Sequence, residues 1–239
     1  ITVDQDGRQV SLGIPTGSDN LALRAFAAAF RDAGQAAPAV RVCIVNRIPV
    51  ARGLGSSASA IVAGLMAADA FMGIAPDLQR LLSTAARIEG HADDAAACRL
   101  GGITAASCVG ARVRWARVPV HGSLRAGVAG PDFPVCTRAA RNVLPGSVPH
   151  SDAVFNVGRT ALLVASLASG DYANLRYAFD DRLHQPYRSG LVPGMINAMK
   201  AACDSGAIGS YMSGAGPSIM ALIARDGLAA PVALALRAA

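Results

Sequence analysis

Apolar and polar positions along the chain fall into short blocks of contrasting period. Residues 1–12 alternate as Ile1, Val3 and then Val10, Leu12 around Asp6-Gly7, a hairpin pattern. Ser18-Asp19 precedes an Ala-rich stretch that predicts a capped helix from Asn20 to Ala33, ended by Gly34. Residues 39–47 read as a strand, with Val42-Cys43-Ile44-Val45 as its apolar run. Ser59 to Met72, apolar and free of proline, predicts a long buried helix, and a further helix follows Pro76 as far as Glu89 or Gly90. Strands are expected at 103–107, at 112–118 (where Arg alternates with apolar residues) and at 124–129. Helices are expected near 137–142, from Ser151 to Ala168, over 171–183 and over 194–204, with strands at 208–212 and 219–223. The character changes at Pro119 to Leu124, so an α+β chain of two halves is expected, with domains 1–121 and 122–239.

Between the 39–47 strand and the helix after it lies Pro49-Val50-Ala51-Arg52-Gly53-Leu54-Gly55-Ser56-Ser57-Ala58. Gly53 and Gly55 permit positive φ and close approach of a ligand to the backbone. Ser56 and Ser57 can cap the helix, whose first N–H groups and partial positive charge suit a phosphate. An ordinary capped helix explains one serine; two serines and two glycines within five residues favour phosphate and metal. No lysine follows the glycines, so this is not a G-x-x-x-x-G-K-[ST] loop. Lys200 is the sole lysine in the chain, which leaves backbone, metal or arginine to meet phosphate charge.

Composition narrows the choice. At 239 residues with 52% hydrophobic and 16% charged, the chain is expected to fold around real cores. A net charge of +6 raises nucleic acid as a partner, but the arginines are dispersed and aromatics are 5%, so anionic small molecules fit better. The absence of a signal-peptide pattern or a spanning apolar run points to a cytoplasmic protein with no membrane partner. Five cysteines without C-x-x-C spacing argue against disulfide frameworks and zinc ribbons, and most are expected to be small core residues.

Three further clusters could carry chemistry. Ser213-Gly214-Ala215-Gly216-Pro217 is either a tight turn between strands or a second anion loop. Glu89, His91, Asp93 and Asp94 are either a solvated helix end or part of a magnesium site, since Mg²⁺ takes hard oxygen ligands. A zinc site is poorly supported by one His without nearby Cys, and a serine hydrolase by the lack of G-x-S-x-G. Arg141 and Arg188 are candidates for binding a carboxylate or phosphate, and Asp180 to Arg188 is unusually polar for so apolar a chain.

These motifs together resemble a known family. Pro49 to Ala58 is similar to the phosphate loop of the small-molecule kinase superfamily that includes galactokinase, homoserine kinase, mevalonate kinase and phosphomevalonate kinase. Ser213 to Pro217 is similar to its C-terminal glycine motif. Glu89-Gly90-His91-Ala92-Asp93-Asp94 with Leu100-Gly101-Gly102, Thr137 to Pro145, and His184-Gln185-Pro186-Tyr187-Arg188 resemble segments of homoserine kinases.

The resemblance implies the two-domain superfamily fold, with a ribosomal-protein-S5-like first half that binds ATP and a ferredoxin-like second half. It implies ATP-dependent phosphorylation of the L-homoserine hydroxyl to O-phospho-L-homoserine, in threonine biosynthesis. By the same analogy Pro49, Arg52, Gly53, Leu54, Gly55, Ser56, Ser57 and Ala58, with Ser213, Gly214, Ala215 and Gly216, bind ATP. Ser57 and Glu89 hold Mg²⁺; His91, Asp93, Asp94, Thr137, Arg141 and Arg188 form the amino-acid site, with Asp94 and Arg141 catalytic. A homodimer is compatible with it. The chain departs from the family in three ways. It lacks the opening P-A-[ST]-[ST]-A-N-L-G-P-G-F-D segment, it is expected to be truncated at its end, and Asp94 stands where the family has Asn. Ala92 and Ala97 also replace common prolines. Two alternatives follow: an inactive relic that folds and binds nucleotide, or a sibling kinase of another small alcohol.

Overall fold

The computed structural model describes residues 2–5, 8–9, 14–120, 124–225 and 227–238. The chain forms two compact units, one of Ile1–Val50 with Gly55–Arg117, the other of Ala51–Leu54 with Val118–Ala239. The expected domain boundary at 121/122 lies outside the described residues.

In the first unit, β1 (Thr2–Gln5) pairs antiparallel with β2 (Arg8–Gln9) and parallel with β3 (Cys43–Val45). Ile1, Asp6, Gly7, Val10 and Leu12 of the expected hairpin lie outside the described residues. Helix α1 (Leu21–Asp32) is capped by Asn20, not by Ser18-Asp19. The buried Asn20 accepts from Ala22 N at 2.9 Å and donates to Pro15 O at 2.9 Å, so one amide satisfies the helix start and fixes the incoming loop. Helix α2 (Ser56–Met72) begins three residues earlier than its apolar pattern suggests. It crosses α1 very closely: a Cβ on Gly64 would stand 2.2 Å from Ala22 O, so glycine is what permits the approach. Asp77 caps α3 (Leu78–Glu89), and Gly90 at φ 91° ends it. Phe26, Phe30, Ile61, Leu65, Leu81, Leu82 and Val113 form the core of this unit.

The polar cluster after Gly90 is not a loose helix end. Its two aspartates open a new helix, α4 (Asp93–Leu100), where acidic groups in the first turn complement the positive end of the helix dipole. Strands β4 (Ile103–Val109) and β5 (Arg112–Val118) follow as a two-stranded sheet.

The second unit is built on an antiparallel sheet in the order β6-β8-β7, from β6 (Arg125–Ala129), β7 (Gly209–Met212) and β8 (Ile219–Ile223). Helices α8 (Met195–Asp204) and α9 (Ala229–Ala238) cover it through Met195, Ala198, Ala202, Val232 and Leu236 against Ile219, Ala221 and Ile223. Helix α5 (Thr137–Asn142) is short and α6 (His150–Ser169) is long. The helix expected over 171–183 is instead a 3-10 turn, Leu175–Phe179, followed by a bend and the one-turn helix α7 (Gln185–Arg188). The cause is Asp181, whose carboxylate captures the N–H groups of Leu183, His184 and Gln185 and so turns the chain. All five cysteines are exposed, contrary to the expected core placement. Among the described residues no helix is long and apolar enough to cross a membrane.

Candidate active site

In the first unit the chemistry gathers where α2 begins. Gly55, at φ 74°, occupies the cap position and no side chain among the described residues caps the helix, so neither Ser56 nor Ser57 serves the expected capping role. The first-turn N–H groups of α2 therefore remain open to an anion. Ser59 Oγ donates to Ser56 O at 2.8 Å, while Ser57 Oγ donates to Glu89 Oε1 from the end of α3. The other carboxylate oxygen, Glu89 Oε2, is buried without a hydrogen-bond partner among the described residues. Glu89, His91 and Asp94 place one donor atom each within 4.8 Å of one another. His91 Nδ1 lies 2.6 Å from Asp93 Oδ1, which turns Asp93 toward the imidazole.

Electrostatics agree with a cation at this place. Burial pushes the Glu89 carboxyl up; the Ser57 bond and His91 oppose this, and Asp94 and Asp93 add to it. Burial also raises Asp94, helped by Asp93 and opposed by His91. The neighbouring Cys98 thiol, exposed as a residue but with its sulfur partly desolvated, is raised by that desolvation and by the same two acids, Glu89 and Asp94. An orphaned acid oxygen beside a hydroxyl and a second raised carboxyl is a donor set that Mg²⁺ fits.

In the second unit the tip of the glycine loop, Ala51–Leu54, is held by the later glycine motif. Ser213 Oγ donates to Gly53 O at 2.7 Å, Ser218 N donates to Arg52 O at 3.3 Å, and Val135 N donates to Ala51 O at 3.4 Å. A Cβ on Gly53 would stand 2.1 Å from Ser213 O and 2.9 Å from Gly216 O, so the two segments fit only because Gly53 lacks a side chain. Arg52 Nη2 donates to Asp132 O at 3.0 Å while its Nη1 is buried with no partner among the described residues. Ser213, expected to face nucleotide, is buried and spends its hydroxyl on the loop.

The two arginines singled out from the sequence come together. Arg188 Nε donates to Ala140 O at 3.1 Å, and Nη1 donates to Gly214 O at 3.1 Å and lies 3.4 Å from His184 Nδ1. Burial lowers the Arg188 guanidinium, and Arg141 lowers it further by like-charge repulsion, partly offset by Asp181. Because an arginine only donates, His184 Nδ1 is the acceptor and its proton sits on Nε2, 3.5 Å from Asp181 Oδ2. Burial lowers His184 as well, with Asp181 opposing and Arg188 reinforcing, which keeps the ring neutral. Thr137 stands at the start of α5, the helix that carries Arg141.

Two positioning residues escaped the sequence. Asp181 also accepts from Asn156 Nδ2 of α6 at 2.6 Å. Burial would raise it, but these hydrogen bonds together hold its carboxyl below the usual range. Gln185, buried, donates to Phe179 O at 3.2 Å and accepts from Met212 N at 2.8 Å, tying α7 to β7. The polar run 180–188, and for Gln185 the segment it shares with Arg188, are their visible signals; the partners at 156 and 212 are not.

With this geometry in view, the class is defined by comparison. Residues 20–102 match the GHMP kinases N terminal domain and residues 163–239 match the GHMP kinases C terminal domain. The chain is a GHMP kinase, with the two-domain mixed helix and sheet fold of that class. It is 43% identical over 222 residues to the homoserine kinase of Gloeobacter violaceus, covering 93% of this chain and 73% of that one. The homoserine kinase of Desulfitobacterium hafniense is also 43% identical, over 88% of this chain and 71% of its own. The crystal structure of homoserine kinase from Cytophaga hutchinsonii superposes with a TM-score of 0.85 at 29% identity, covering 99% of this chain and 76% of that chain. Within the GHMP kinases the chain belongs to the homoserine kinase family.

Proposed function

We propose that this protein transfers the γ-phosphoryl group of ATP to the hydroxyl of L-homoserine, giving O-phospho-L-homoserine and ADP. The observation that carries the substrate assignment is Arg188, held by Ala140 O and Gly214 O beside Arg141, a cationic pair suited to an amino-acid carboxylate. Family membership supports the same reaction.

The phosphates lie in this reading on the uncapped N-terminus of α2, from Gly55 through Ser57, with Pro49, Arg52, Gly53, Leu54 and Ala58 shaping the loop. Ser57 and Glu89 hold Mg²⁺, which neutralises phosphate charge when bound. Asp94, its carboxyl raised by burial, accepts the hydroxyl proton as the substrate oxygen bonds to the γ-phosphorus and the bond to the ADP oxygen breaks. His91 and Asp93 face the substrate ammonium side, and Arg141 its carboxylate. The division at 121/122 into an ATP-binding and a ferredoxin-like domain, a cytoplasmic setting and a homodimer belong to the same proposal; light scattering tests the last.

The test is a coupled ADP-release assay with MgATP and L-homoserine, mevalonate, galactose or no acceptor. Turnover that depends on homoserine is the expected result. Turnover on mevalonate or galactose instead would make it a sibling kinase, and MgATP binding without turnover an inactive relic.

A further inference from the structure

We propose that Arg188 and Ser213 couple the amino-acid site to the nucleotide loop, so that homoserine and MgATP each tighten binding of the other, with Ser213 as a positioning residue for phosphoryl transfer. This rests on the substrate reading above.

The path is short and lies within the second unit. Arg188 has five N–H donors. Nε is given to Ala140 O, and the two Nη1 hydrogens face Gly214 O and His184 Nδ1. Nη2 has no partner among the described residues, so its two hydrogens are left for a carboxylate. The Gly214 carbonyl that Arg188 holds belongs to the residue directly after Ser213. Ser213 in turn fixes the loop, donating from Oγ to Gly53 O at 2.7 Å, and its own carbonyl accepts from Gly216 N at 2.9 Å. Ser213 N donates to Ser218 O at 2.8 Å, which closes residues 213–218 into one rigid turn. Gly53 stands two positions before Gly55, the cap residue of α2.

Charge supplies the bias. Without an anion, Arg188 and Arg141 repel each other, and the Gly214 bond competes with that repulsion. A carboxylate on Nη2 cancels it and leaves Nη1 fixed on Gly214 O. The glycine turn then holds Gly53 in the conformation that opens the N-terminus of α2. Ordering the loop with nucleotide strengthens the same chain of bonds in reverse, because coupling between sites is reciprocal.

The experiment is calorimetric titration of the full chain with L-homoserine, with and without a non-hydrolysable ATP analogue and Mg²⁺, in wild type, Ser213→Ala, Ser213→Thr and Arg188→Lys. In wild type the analogue should tighten homoserine at least about fivefold, the lower end of ordinary coupling. The ratio should fall toward one in Ser213→Ala and in Arg188→Lys, and return in Ser213→Thr, whose hydroxyl can reach Gly53 O. In steady state, the KM for ATP should depend on homoserine concentration in wild type and lose that dependence in Ser213→Ala. Coupling that persists in a folded Ser213→Ala, or in Arg188→Lys, overturns the relay. So does binding of both ligands to wild type without coupling. If homoserine does not bind wild type in either titration, the substrate reading itself fails.

Discussion

In the proposed mechanism Asp94 is the residue whose identity should weigh most on rate. Its raised carboxyl faces Glu89 and His91, and as a base it should be worth about two orders of magnitude. Asp94→Asn should therefore lower kcat about a hundredfold in the ADP-release assay. A rise in activity would mean that the carboxylate repels phosphate, and an unchanged rate would end both accounts. Asp181 acts on stability instead. Its folded value lies below the ordinary 3.8, so its stabilisation is complete above that value and disappears as pH falls through the folded one. Asp181→Asn should lower the melting temperature at pH 7, by about 2–4 °C for each kcal/mol lost in a chain of this size. That deficit should shrink in scans that carry the pH down from 3.8 through the lower folded value, where the native carboxylate takes up its proton as well. The proximity of Ser57 to Glu89 and of Arg188 to Arg141 is legible as a candidate from the sequence because their neighbours form compact motifs. Asp181 and Gln185 are not, since what makes them important is a partner far along the chain.

Helices and strands were legible where an apolar period runs unbroken. The α1, α3, α5 and α8 boundaries fall within a residue or two of those read from the sequence. Errors cluster where a side chain overrules the period. Asp181 replaces the second half of an expected helix by a turn, and the paired aspartates at the start of α4 make a helix from what reads as a polar loop. The start of α2 was missed because Ser56 to Ala58 look like a cap while Gly55 occupies that position. The contact between α1 and α2 tests the packing directly. Gly64→Ala places a methyl where Ala22 O already sits at 2.2 Å, and backbone cannot yield as a flexible side chain does. Denaturant titration should show a loss of about 1–3 kcal/mol, typical of overpacking, despite alanine's better helix propensity. No loss would mean that the two helices can separate freely.

At the scale of the molecule, bound nucleotide should act as a stabiliser. Binding to the folded state alone raises stability by about 2.7 kcal/mol at a hundred times Kd. MgATP should therefore raise the melting temperature in a scanning measurement. EDTA should remove most of that gain if Glu89 and Ser57 hold the metal, and Glu89→Gln should remove it without EDTA. A gain indifferent to both treatments would separate nucleotide binding from this acid.

The assignment of Ala51–Leu54 to the second unit, with the residues on either side of it in the first, has a consequence for recombination. A crossover placed at Arg117–Val118 looks clean on the linear map, yet it would join one parent's four-residue tip to another parent's Val135, Ser213 and Ser218. Chimeras between related kinases should keep fold and activity when residues 51–54 travel with the C-terminal half, and lose them when the two are inherited separately. The inheritable block on this side of the enzyme is thus discontinuous, and a gene-shuffling library that ignores it will sample mostly mismatched loops.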